Sequence, residues 1–156
     1  MISRCMKRHV VSVTPSTTAL EAARIVVTRH VGTLPVINDA GTLVGIVRVQ
    51  DLLDVFMPDF VRLLDDIDFV HDFGALEDLS PAAREGAAHR TMRDLMQAPL
   101  AVETSCGLLR ALAVMNKHQV RDLPVVDERG TLVGIASLVD IAVAFLDAWA
   151  PAENRP

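Results

Sequence analysis

The chain has 156 residues, 51% of them hydrophobic and 22% charged, with a net charge of −5. That length suits one globular domain of roughly 100–200 residues, with enough apolar surface for a real core. The acidic balance excludes a sequence-independent nucleic-acid surface, which needs clustered Lys and Arg, and five Phe, one Trp and no Tyr leave no base-stacking platform.

Two cysteines, Cys5 and Cys106, show no C-x-x-C spacing, which argues against a disulfide framework and for a reducing, cytoplasmic setting. The N-terminal MISRCMKRHVVSV has no apolar run long enough for a signal peptide. No stretch approaches the roughly 18 uncharged apolar residues of a membrane span, so no membrane partner is expected.

In chain order, Val10–Val13 is apolar and β-branched, which predicts a short strand. Thr18-x-x-Glu21 then has capping-box spacing ahead of ALEAARIVVTRH, whose apolar residues recur at helical intervals. Leu34–Ile37 and Leu43–Val47 read as strands joined by Asn38-Asp39-Ala40-Gly41, a hairpin turn. A further helix is predicted from about Val49. The stretch 57–90 copies nothing: Asp59–Leu79 mixes seven acidic residues with apolar ones and predicts an amphipathic helix with a packed loop. Ser80–Gly86, with Pro81, predicts a reversal of the chain.

The first pattern then recurs. Val11–Leu52 lies over Leu100–Ile141 at an offset of 89 residues without a gap, with 15 identities in 42 positions, including Leu34-Pro35-Val36 with Leu123-Pro124-Val125 and Gly41–Ile46 with Gly130–Ile135. GLLRALAVMNKHQV predicts the second copy's helix, with Lys117 and His118 in its last turn where cations suit the dipole. Leu132–Ala136 predicts the closing strand, and a last helix runs from Leu138 to about Trp149. Residues 3–56 and 91–149 are thus two repeats, 57–90 an insert and 150–156 a tail. Each repeat is too short to bury both faces of its elements, so the two are expected to pack together.

The residues best placed for chemistry lie where the second hairpin strand meets the following helix. Ser137-x-x-Asp140 reads as a capping box, and equally as a carboxylate facing a cleft, able to accept both hydroxyls of a ribose. In the first repeat Arg48 replaces the cap, so Asp51 falls outside a box, yet the aspartate is still there.

Leu-Pro-Val-hydrophobic-Asp, then Gly-Thr-Leu-Val-Gly-Ile, then a polar residue three before Asp, written twice, resembles the cystathionine-β-synthase (CBS) domain in the tandem arrangement often called a Bateman module. The resemblance covers residues 3–56 and 91–146. It implies an α+β fold of two βαββα units around a pseudo-twofold axis, with two clefts for adenosyl ligands: AMP, ADP, ATP, NAD or S-adenosylmethionine. It further implies that Asp140 holds the ribose and Ser137 the ribose or first phosphate. Val120, Leu123 and Pro124 would flank the adenine, and Arg121 would supply a phosphate-binding cation. In the first half, Asp51 could take a ribose with Ser12 beside the base, while Arg48 could block that cleft or reach the neighbouring ligand's phosphates. The two sites are therefore expected to be unequal, that of Asp140 the stronger.

The same resemblance implies a homodimer through the helices that end each repeat, Leu52–Phe60 and Ile141–Trp149, and a regulatory, non-enzymatic role read out by a separate effector protein. Two alternatives stand beside it: an interaction dimer with vestigial clefts, and a metal- or redox-responsive protein using Cys5 and nearby histidines. Asp72-Phe73-Gly74 spells a kinase motif without its companions, and GTLVG lacks the Gly-Lys-Ser/Thr of a P-loop. No nucleophile with its base is visible, and no metal is expected from the scattered histidines.

Overall fold

Asn38 and Asp127 turn the two hairpins in the same way. In the computed structural model, which describes residues 1–56 and 80–150, Asn38 Oδ1 accepts from the Ala40 and Thr42 N–H groups, each at 3.0 Å. Asp127 Oδ1 accepts from those of Arg129 and Thr131, each at 2.9 Å. Both turns end on a glycine in the left-handed region, Gly41 at φ 77° and Gly130 at φ 78°, where a side chain would be strained. Strand β1 (Thr33–Ile37) thereby pairs antiparallel with β2 (Leu43–Arg48). In the second repeat β4 (Asp122–Val126) pairs with β5 (Leu132–Ser137) in the equivalent register, bulge included.

A short β3 (Val102–Glu103) runs parallel to β4. The strand expected at Val10–Val13 is reduced to one parallel bridge, Val13 to Val36. Helix α1 (Ala19–Arg29) starts at the expected capping box: Glu21 accepts from the Thr18 N–H at 2.8 Å while the Glu21 N–H donates to Thr18 Oγ1 at 3.3 Å. Its counterpart α5 (Leu108–His118) starts at Gly107 without a side-chain cap. Helix α2 (Val49–Leu53) continues as a 3-10 turn, Asp54–Phe56, and α6 (Leu138–Trp149) closes the second repeat.

The chain does not turn at Ser80–Gly86. Ser80 caps a helix, α3 (Pro81–His89), accepting from the Ala83 N–H at 3.2 Å. Pro81 falls at the first helical position, where its fixed φ and missing N–H cost nothing. The helix and loop expected over 59–79 lie outside the described residues.

Each repeat completes the other's core. The first core gathers Val13, Ala22, Leu34, Val36, Val47 and Leu52 with Met92 and Leu95 from α4 (Met92–Leu95), which opens the second repeat. The second gathers Val102, Cys106, Ala111, Met115, Leu123, Val125, Ala136 and Ile141 around Ile2, from a 3-10 turn at Ile2–Arg4. Backbone bonds fix the exchange: Lys7 pairs with Ile135 at 2.8 and 2.9 Å, and Gln97 with Ile46 at 2.8 and 3.1 Å. Gly45 and Gly134 make room for it, since a Cβ there would stand 2.6 Å from Met96 Sδ and 2.5 Å from Met6 Sδ.

The pseudo-twofold axis passes between equivalent residues. Thr42 bridges Thr131, the Leu43 N–H donates to Gly130 O and the Leu132 N–H to Gly41 O at 3.1 Å each. Thr33 Oγ1 donates to Asp122 Oδ2 at 2.9 Å. Among the described residues no helix is long and apolar enough to cross a membrane.

Candidate functional site

Strand β5 hands over to α6 at Ser137, and this junction places Asp140 on the wall between the repeats. Asp140 Oδ2 accepts from the Ser137 N–H at 2.9 Å and the Ser137 hydroxyl at 2.6 Å, while the Asp140 N–H donates to Ser137 Oγ at 3.1 Å. Lys7, from the exchanged N-terminal segment, brings its ammonium to 3.4 Å of the same oxygen. Among the described residues no hydrogen bond reaches Asp140 Oδ1. Burial pushes the Asp140 carboxyl up, but the two Ser137 bonds and the Lys7 charge outweigh it and hold the group below its ordinary value. Asp140 is thus an ionised carboxylate with one oxygen fixed in the cap.

The cleft before it has a volume of about 190 Å³. Ser137, Asp140, Ile135 and Asp122 of the second repeat form one side; Val10, Val11 and His30–Thr33 of the first repeat form the other, with Lys7 and His9 at the edge. His30 ends α1 in the left-handed region at φ 52°, as Gln119 ends α5. Apolar Val10, Val11 and Val31 thus face two carboxylates and three basic side chains across one narrow space.

This composition departs from the sequence reading. Val120 and Arg121 do not line the cleft of Asp140; they border a separate hollow with Leu112, Met115, Asn116, Gln119 and Leu138. Leu123 and Pro124 are buried in β4. The axis is the reason: it sets Ser137–Asp140 against the first copy's Val31-Gly32-Thr33, which is the equivalent of Val120-Arg121-Asp122. Ser12, read as belonging with Asp51, is half-buried and follows Val11 in the chain without lining the Asp140 cleft itself. Lys7, His9 and His30 were missed, and only the exchange of the N-terminal segment reveals Lys7.

The first repeat differs at its core chemistry. Asp51 does reach back to its N-cap, contrary to expectation: Oδ2 accepts from the Arg48 N–H at 2.7 Å. Where Ser137 would cap, Arg48 instead donates from Nε to Oδ2 at 3.2 Å and from Nη2 to Oδ1 at 3.1 Å. The Asp51 side chain is 7% exposed and that of Arg48 41%. The bonds to Asp51 outweigh the opposing burial and raise the guanidinium's affinity for its proton. Arg48 is therefore spent on its own repeat.

Cys5 is half-buried and free, Cys106 buried and free. Burial pushes the Cys5 thiol up, and the negative charge of Asp140 adds to it. No three His, Cys, Asp or Glu side chains group as metal ligands among the described residues.

Comparison with known proteins places this geometry in a family. The chain is 33% identical over 153 residues to the chloroplastic CBS domain-containing protein CBSX2 of Arabidopsis thaliana, covering 94% of this chain and 62% of that protein's length. The solved CBSX2 superposes with a TM-score of 0.75 at 29% identity over 97% of this chain and 98% of that one, and its complex with AMP with 0.71 at 28% identity over 96% and 98%. Hypoxic Response Protein I, solved with two coordinated zinc ions, gives 0.65 at 26% identity over 90% and 94%. The match to the inosine-5'-monophosphate dehydrogenase of Thermoplasma acidophilum, 28% identical, takes in 95% of this chain but 24% of that enzyme. The CBS domain family model matches at residues 2–58 and again at 92–147. With both repeats matched and their two-fold packing in view, the chain belongs to the CBS domain family as a tandem pair.

Proposed function

We propose that the cleft before Asp140 binds an adenine nucleotide, AMP foremost, and that the protein is a non-catalytic sensor of it. The carrying observation is the state of Asp140: ionised, fixed through one oxygen by Ser137, and lining a cleft between the two repeats. The other oxygen is the acceptor for the ribose hydroxyls. Val10, Val11 and Val31 offer apolar surface to the base, as small-molecule clefts do, while Lys7 offers a cation and His9 and His30 offer ring N–H donors to the phosphate. The AMP complex of CBSX2 supports the ligand class. ADP, ATP, NAD and S-adenosylmethionine share the adenosine that Asp140 would read.

Because the two sides of the cleft come from different repeats, an occupant acts on their packing, in proportion to its unequal affinity for two arrangements. The readout passes to a second copy and to an effector protein. The two free cysteines suit a reducing cytoplasmic setting. A homodimer is favoured by the outer face of α6, where Val139, Val143 and Leu146 recur at helical spacing and stand exposed, followed by Trp149 at 77%.

Isothermal titration of the full chain with AMP, ADP, ATP, NAD and S-adenosylmethionine tests the ligand. Saturable heat with at least one of them is expected, AMP first, and its loss in Asp140→Ala. Heat from none, or heat unchanged by Asp140→Ala, would overturn the reading.

A further inference from the structure

The two repeats present the same aspartate in opposite states. Asp140 has one oxygen tied into its cap, and the other receives no hydrogen bond among the described residues. Asp51 has both oxygens taken, by the Arg48 N–H, Nε and Nη2 at 2.7, 3.2 and 3.1 Å. A planar guanidinium meeting a carboxylate through two nitrogens is the protein's own version of the paired hydroxyls that a ribose would offer. It is tethered three residues away on the same chain, so it competes for Asp51 at a high effective concentration.

We propose that Arg48 is the built-in occupant of the first repeat's half-site, so that the chain binds a single nucleotide, and that replacing Arg48 with a small hydroxyl residue opens a second, latent site at Asp51. The inference rests on the nucleotide reading above. Position 48 is the equivalent of Ser137, and the rest of the surroundings follow the axis: His30–Thr33, which face Asp140, correspond to Gln119–Asp122. Arg121, exposed and with no cationic counterpart at Gly32, would by that symmetry supply a cation to a ligand at Asp51. With Ser at 48 the junction reads S-x-x-D, as it does at Ser137–Asp140. Asp51 would keep its backbone bond, lose the guanidinium, and regain a carboxylate oxygen for a ribose.

The test is the stoichiometry of AMP binding by isothermal titration of the full chain, in wild type, Arg48→Ser, Arg48→Thr and the double variant Arg48→Ser/Asp140→Ala, with circular dichroism and a thermal melt to establish folding. One AMP per chain is expected for wild type, two for Arg48→Ser and Arg48→Thr, and one for the double variant. Two in wild type, or one in both folded position-48 variants, would overturn the inference and leave the Asp140 reading standing. None in wild type but one in the double variant would overturn the Asp140 reading and the single-nucleotide count, and would support only the closure of the Asp51 half-site by Arg48. If Ser and Thr at 48 both unfold the chain, the wild-type count decides: one AMP, lost in Asp140→Ala, keeps the first half-site closed, and any other count overturns it.

Discussion

Ser137 and Asp140 decide whether the α6 junction is a cap, a ligand site or both. The carboxyl is held below its ordinary value, so the stabilisation it brings is present above the usual carboxylate range and is lost as pH falls through the folded value. Ser137→Ala removes the hydroxyl that both donates to Asp140 Oδ2 and accepts from its N–H. It is expected to cost about 1 kcal/mol at pH 7, by denaturant titration, with the gap to wild type narrowing on acidification. A gap that widens would contradict the cap geometry. Cys5 gives a second probe, because the Asp140 charge is one of the causes that raise its thiol. Asp140→Asn should therefore speed alkylation of Cys5 near pH 8, followed by peptide mass spectrometry; an unchanged rate would place the carboxylate too far away to matter.

At the scale of elements, what was legible in the sequence was what depends on local chemistry. Thr18 and Glu21 announced the start of α1, and Asn38 to Gly41 and Asp127 to Gly130 announced the hairpins, because capping and turn bonds join residues two to four apart. Pro81 misled, since a proline that stops a helix and one that begins it look alike until the Ser80 cap is seen. What long-range packing decides was hidden: that Met92 and Leu95 complete the first core, that Ile2 completes the second, and that Asp140 shares its cleft with Val31 to Thr33 and not with Val120 and Arg121. Gly45 and Gly134 carried the trace of the exchange, as backbone positions that Met96 and Met6 approach too closely for a side chain. Gly134→Ala is expected to cost about 1–3 kcal/mol by overpacking, since the Lys7 carbonyl also stands 3.2 Å from the added Cβ. A Met6→Ala partner substitution should recover part of that loss in thermal melts, and no recovery would assign the cost elsewhere.

Over the whole molecule, the exchanged segments make the repeats one folding unit. Ile2 is fully buried among residues of the second repeat, so Ile2→Ala should lower the stability of the entire chain by about 2–5 kcal/mol. Unfolding should remain a single transition by circular dichroism and tryptophan fluorescence; two separated transitions would show that the repeats unfold independently. The proposed homodimer is tested at the exposed outer face of α6: Val143→Glu is expected to shift sedimentation from dimer to monomer with the far-ultraviolet spectrum unchanged, and a wild type that sediments as a monomer would contradict the dimer. The same coupling of halves ties the cleft to the packing of the molecule, since its walls come from different repeats.

The most direct measurement is a crystal structure of the wild-type chain grown with AMP. The account predicts one nucleotide per chain, its ribose hydroxyls on Asp140, its base against Val10, Val11 and Val31, and the Arg48–Asp51 pair intact. A nucleotide bound elsewhere while the Asp140 cleft holds only water would contradict it.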